Sequence, residues 1–175
     1  MAARESEARM AISVKPITLW RRELQDRPGA LAESLAPFED AGAGLTVVMA
    51  YRYPGDPGRA AVELFPVSGK RATAAAERGG FSEANIPALL VEGDDAPGLG
   101  HRLSRAAADA GINLDFVVAQ VIRGRFSAVF GFAQQEDAQR AVPLFKKSAP
   151  RPTRPAARKK SAGGKKPAAR KRSRR

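Results

Sequence analysis

The sequence contains no cysteine and a single histidine, His101. Without cysteine there are no disulfides, thiol nucleophiles or thiolate metal sites. One histidine leaves a zinc site or a Ser-His-Asp triad almost no raw material. At the start of a helix, that histidine is read as exposed and assigned no catalysis. Oxygen-ligand metals such as magnesium stay open in principle, but nothing in the residues implies a cofactor. Aromatics make up only 6% of the chain, and the cluster Tyr51-Arg52-Tyr53 lacks the aromatic-rich strand motif of an RNA-recognition sheet. No apolar run approaches the roughly 18 residues of a membrane span, and residues 1–15 lack the apolar centre of a secretory signal. These absences point to a cytoplasmic protein with no membrane partner that is not an enzyme.

Acidic residues are also absent from one region. All 18 lie at or before Asp137; 16 of the 30 Lys and Arg lie at or before Arg140, and the other 14 fall in residues 146–175 without a single acid. The high isoelectric point therefore belongs to a tail, while residues 1–145 are nearly neutral. The tail is rich in Lys, Arg, Ala and Pro and almost free of larger apolar residues, so it cannot bury enough area to offset its ordering entropy. Its affinity is expected to be for polyanions, through counterion release and without base readout. The expected contacts are Arg158, Lys159, Lys160, Lys165, Lys166, Arg170, Lys171, Arg172, Arg174 and Arg175, which would place the protein at the nucleoid. A solubilising tail or a contact for acidic proteins is the alternative.

What the chain does have is a repeat. Asp26-Arg27-Pro28-Gly29 is answered by Asp95-Ala96-Pro97-Gly98, and Asp40-Ala41-Gly42 by Asp109-Ala110-Gly111. Laid on each other without a gap, residues 17–50 and 86–119 share 11 of 34 positions, where composition alone would give about two or three. An internal duplication follows, with either two similar sites or one symmetric site between the copies.

Each copy reads β-α-β-β-α. In the first, a strand over residues 17–24 ends at the Asp26 turn, with Asp26 placed to cap the following helix. Leu31, Leu35 and Phe38 recur at helical spacing up to Gly42, although Pro37 interrupts. Strands over 45–53 and 60–66 flank the turn at 54–58, and an Ala-rich helix covers 69–78. The second copy gives a strand over 86–92, a helix over 98–110, strands over 114–121 and 126–132, and a helix over 136–144. Trp20 is expected in the core or between the copies, and nothing brings Glu63 and Glu92 together as an acid pair. The class is α+β: two ferredoxin-like modules in tandem, helices on one face of antiparallel sheets. Domains are expected at 1–15 (flexible N-terminus), 16–85, 86–145 and 146–175 (basic tail).

A strand, then Asp-Arg-Pro-Gly-Ala-Leu-Ala, a helix closing in Asp-Ala-Gly and an apolar strand resembles the ACT domain, a small ligand-binding regulatory module. The second copy, with Ala-Gly-Ile-Asn-Leu at residues 110–114, resembles it as closely. The resemblance covers residues 17–145, and the tail resembles those of linker histones and bacterial histone-like proteins. It implies a βαββαβ fold, so eight strands, of which six are evident. Residues 81–92 must end one module and begin the next. The second sheet is closed by Ile12-Ser13-Val14, by a partner chain, or not at all.

The resemblance further implies an amino acid or similar small carboxylate bound at the Asp-x-Pro-Gly turn, often across a module interface. Carried over by position, the site is Arg27, Pro28, Gly29, Ala30 and Leu31 in the first copy. In the second it is Ala96, Pro97, Gly98, Leu99 and Gly100, with Asn113 holding a polar ligand group. The first copy has Ala43-Gly44 in place of Ile112-Asn113, which marks its site as the degenerate one. The physical basis is a glycine that admits close approach and a helix N-terminus that favours a carboxylate; the alternative is a pair of turns that only start helices. Two functions compete. One is a non-enzymatic amino-acid-binding regulator, with a free-standing regulatory subunit of a metabolic enzyme as its variant. The other is a nucleic-acid-associated protein whose body only dimerises, and exposed sheet edges favour a homodimer in either case.

Overall fold

The computed structural model describes residues 12–149. It contains twelve elements in chain order: β1 (Ser13–Ile17), β2 (Trp20–Gln25), α1 (Ala30–Asp40), β3 (Val47–Tyr53), β4 (Asp56–Phe65), α2 (Gly69–Arg78), β5 (Ser82–Glu83), β6 (Ala88–Asp94), α3 (Leu99–Asp109), β7 (Phe116–Ile122), β8 (Arg125–Gly131) and α4 (Gln135–Lys147). They form two antiparallel four-stranded sheets, ordered β3-β4-β2-β5 and β1-β6-β8-β7. The molecule is α+β, two ferredoxin-like modules in tandem.

The two missing strands come from different places. Ser82–Glu83 closes the first sheet by pairing with Trp20 and Arg21. The second sheet is closed by the N-terminal segment, in register from Ser13 opposite Glu92 to Ile17 opposite Ala88. Residues 13–15, expected in a flexible N-terminus, are therefore strand. The single strand expected over 17–24 is two strands in different sheets. Ile17 and Leu19 explain the break, because both pack into the apolar layer between the sheets, so the chain passes from one sheet to the other there.

Alternation along the strands sorts the side chains into three cores. Trp20, Val62, Leu64, Phe38 and Phe81 fill the space under α1 and α2, and the small Ala75 and Ala76 let α2 sit close. Leu89, Val91, Phe126 and Phe130 meet Leu99, Leu103 and Phe145 under α3 and α4. The opposite pleat positions, Met49, Leu90 and Val129, join Leu19 and Ala88 in a third cluster where the helix-free faces meet. The order of layers is helices, sheet, sheet, helices. Burial of these apolar faces, at about 25 cal/mol per Å², is the main term holding the modules together.

Candidate functional site

The two Asp-x-Pro-Gly turns fold alike. Gly29 and Gly98 adopt φ of +87° and +76° and stand at the N-caps of α1 and α3. Asp26 N–H donates to the Gly58 carbonyl at 3.1 Å, as Asp95 N–H does to Gly124 at 2.8 Å. The Ala30 and Leu99 amides turn back onto the Arg27 and Ala96 carbonyls. The next two amides of each helix, at Leu31 and Ala32 and at Gly100 and His101, have no protein acceptor among the described residues. Each helix thus opens with two free donors at its positive end.

The Asp26 side chain does not cap α1, contrary to expectation, and no side chain does. Glycine in the left-handed region already directs the chain into the helix, and Asp26 instead binds Arg52 on β3, with Oδ2 at 2.5 Å from Nε. That ion pair stands at the rim of a cavity of about 280 Å³ lined by Leu24, Asp26, Arg27, Ala30, Leu31, Ala50, Tyr51, Arg52, Ala60, Ala61 and Val62. The run of alanines leaves the space open, and the floor is apolar. Arg27 turns to the side and forms a bidentate pair with Glu33 at 2.8 and 2.5 Å. The bond to Arg27 holds the Glu33 carboxyl below its usual range, and the bond to Glu33 raises the Arg27 guanidinium.

At the second turn, Arg102 folds over the backbone and donates from Nη1 to the Pro97 carbonyl at 2.9 Å. Its Nε and Nη2 are buried without a protein partner. The position matching Arg52 is Val121, and Asp95 forms no ion pair among the described residues. Asn113 lies beyond the far end of the eleven-residue α3, about 16 Å from the turn at 1.5 Å per residue. The structure therefore does not bring Asn113 together with Ala96, Pro97, Gly98, Leu99 and Gly100 within one module. Sequence comparison of the copies marked the first as degenerate at Ala43-Gly44, but these residues also lie at the far end of their helix, α1. His101 is exposed, as expected.

Sequence reasoning missed a polar network on the helix-free face of the first sheet. Glu63 is fully buried; its Oε1 accepts from the Tyr51 hydroxyl at 2.8 Å and lies 3.7 Å from Arg21 Nη1. Oε2 of Glu63 and Nε of Arg21 are buried without a protein partner. Burial first, then the bond to Glu63, pushes the Tyr51 phenol up to about 12. Outward from there, Tyr53 donates to Glu23 at 2.6 Å, Arg59 pairs with Glu23, and Arg59 and Arg21 lie 4.9 and 5.6 Å from the Tyr53 ring centre. Hydrogen bonds from Tyr53 and Arg59 hold the Glu23 carboxyl below its usual range. The signal was the Tyr-Arg-Tyr cluster itself: pleating sends Tyr51 and Arg52 to opposite faces, one to Glu63 and one to Asp26.

A larger cleft of about 490 Å³, lined by Ile17, Thr18, Asn85, Ile86, Gln135 and Gln139 among others, lies where the linker meets α4. It has no charged lining, whereas the smaller cavity at the first turn has a carboxylate and a guanidinium at its rim. Among the described residues no cluster of three or more His, Cys, Asp or Glu could hold a metal, and no helix is long and apolar enough to cross a membrane. The ten tail residues from Arg158 to Arg175 named above lie outside the described residues.

These features define an ACT-like fold, two βαββαβ modules in tandem. No family model matches the chain, and no curated protein matches it in sequence. Among solved structures it is similar to a Bacteroides thetaiotaomicron protein, at 11% identity and a TM-score of 0.61 over 74% of this chain and 88% of that one. It is also similar to the regulatory subunit of aspartate kinase from Thermus thermophilus, at 16% identity and 0.55 over 81% and 98%. Aspartate kinase from Clostridium acetobutylicum gives 12% and 0.51 over 79% of this chain but 34% of the enzyme. At these identities the likeness is one of fold.

Proposed function

We propose that this chain is a non-enzymatic regulatory protein whose first module binds a free amino acid. The Asp26–Arg52 ion pair at the mouth of a small apolar cavity carries the reading. An amino acid presents a cation and an anion one carbon apart, and the pair offers the complementary charges: Asp26 for the ammonium, Arg52 and the free Leu31 and Ala32 amides for the carboxylate. Leu24, Leu31 and Val62 leave room for a short apolar side chain. The second turn, with Val121 and an overlying Arg102, lacks that complement. Similarity of fold to a regulatory subunit supports a free-standing regulatory role toward an enzyme of amino-acid metabolism.

The test is a thermal-shift screen of the full chain against the twenty amino acids. A ligand at about 100 times its dissociation constant adds about 2.7 kcal/mol to stability. The expected shift is lost in Asp26→Asn and Arg52→Ala and kept in Gly98→Val. No shift with any amino acid, or a shift indifferent to Asp26 and Arg52, would overturn the reading.

The 14 Lys and Arg of residues 146–175 favour a second role, binding nucleic acid without sequence preference and bringing a cytoplasmic protein to the nucleoid. Affinity for duplex DNA should fall steeply with salt and vanish when residues 146–175 are deleted. Tight binding that survives the deletion would exclude this role.

A further inference from the structure

The cleft where the linker meets α4 belongs to neither turn. Its volume of about 490 Å³ falls within the range of small-molecule pockets, about 300–1,000 Å³, and it shares no residue with the cavity beside Asp26 and Arg52. Three parts of the chain build it: the crossing from β1 to β2, the linker over 84–87, and a stripe of α4 in which Gln135, Ala138, Gln139, Val142 and Pro143 follow the spacing of one helix face. The lining is apolar except for Thr18, Asn85, Gln135 and Gln139, and none of it is charged. A phosphate, carboxylate or ammonium group there would lose water without gaining a counter-charge, so the fitting ligand is neutral.

The polar groups that remain are mostly of one kind. A carboxamide offers a donor and an acceptor side by side, and three of them line this one cleft without a protein partner among the described residues. The backbone adds to the same inventory. Pro143 has no N–H, which leaves the Gln139 carbonyl without its helical donor on the stripe that faces the cleft. In the linker, the Asn85 and Ile86 amides have no protein acceptor among the described residues.

We propose that this cleft is a second small-molecule site and that it takes an uncharged nucleobase, free or as its nucleoside. A nucleobase is a neutral plane whose edges carry adjacent donors and acceptors, which side-chain carboxamides match two at a time. Its faces are apolar, and Ile17, Ile86, Val142 and Pro143 supply apolar walls. A purely aliphatic ligand would leave the carboxamides and the Gln139 carbonyl unused, and an amino acid would bring two charges to a lining that answers neither. The site does not depend on the amino-acid reading of the first turn.

Calorimetric titration of the full chain with adenosine, guanosine, cytidine and uridine tests this. At least one is expected to bind at millimolar concentration or below, with an affinity unchanged by salt, whereas binding to the basic tail falls steeply with it. Gln139→Leu should weaken the nucleoside by about tenfold or more, and Asp26→Asn should leave it unchanged. Pro143→Ala gives the Gln139 carbonyl back its helical donor, so it should weaken binding while raising the unfolding midpoint. Gln139 and Pro143 are both exposed, and the midpoints of the unliganded variants separate lost binding from lost fold. Failure of all four nucleosides at millimolar concentration would overturn the proposal, as would binding indifferent to Gln139→Leu. Binding that falls steeply with salt would belong to the tail and would likewise overturn it. An amino-acid shift, present or absent, bears on none of these outcomes.

Discussion

Glu63 shows at the scale of one residue what burial does to a charge. It has a guanidinium at 3.7 Å and one phenolic donor, but Oε2 has no protein partner. Removing one member of a buried ion pair leaves the other uncompensated. Glu63→Ala is therefore expected to destabilise the fold by about 3 kcal/mol, and Arg21→Met combined with Glu63→Leu by less than Glu63→Ala alone, read from urea unfolding. Tyr51 gives a pH dependence with a definite sign. Its folded pKa, about 12, lies above that of an unfolded tyrosine at about 10. The folded state keeps the proton longer, so this contribution is complete below about pH 10 and is lost as pH rises toward 12. Its size is small because the ring is 40% exposed. Tyrosinate absorbance should show one phenol titrating near 12 and moving down in Glu63→Gln; a Tyr51 that titrates at its ordinary value would refute the geometry.

At the scale of elements, the Phe116–Gly131 pair shows why a glycine sits inside β8. The Phe116 ring lies across Gly131 in the directly opposed position, and a Cβ there would stand 2.2 Å from the ring. Gly131→Ala should cost about 1–3 kcal/mol by displacing the ring from the layer between the sheets, measurable as a lowered unfolding midpoint. Most elements were legible in the sequence because their signals are local. Gly42 and Gly111 end α1 and α3, and the short continuous apolar runs at 88–91 and 128–131 give strands buried on both faces. The first-turn site was half legible: the Asp-Arg-Pro-Gly turn is visible, but Arg52 reaches Asp26 from 26 residues away. What was not legible depends on partners distant along the chain. Residues 12–24 form a nearly continuous β-compatible run, and only the sheet each half pairs with shows that it is two strands.

For the whole molecule, that crossing means the modules cannot be separated by cutting between them. A chain beginning at residue 86 lacks β1, so Leu89 and Val91 lose the cover of Val14 and β6 becomes an open edge. The fragment 86–149 is expected to unfold without a cooperative transition, and a peptide of residues 12–17 supplied in excess should restore one. A fragment that folds cooperatively alone would contradict the pairing. The same arrangement sets an order of events during synthesis. β1 leaves the ribosome first, yet its partner β6 appears some seventy residues later, after every strand of the first module has emerged. At about 5–20 residues per second, β1 waits several seconds unpaired, and the second sheet cannot close on that side until β6 has been made.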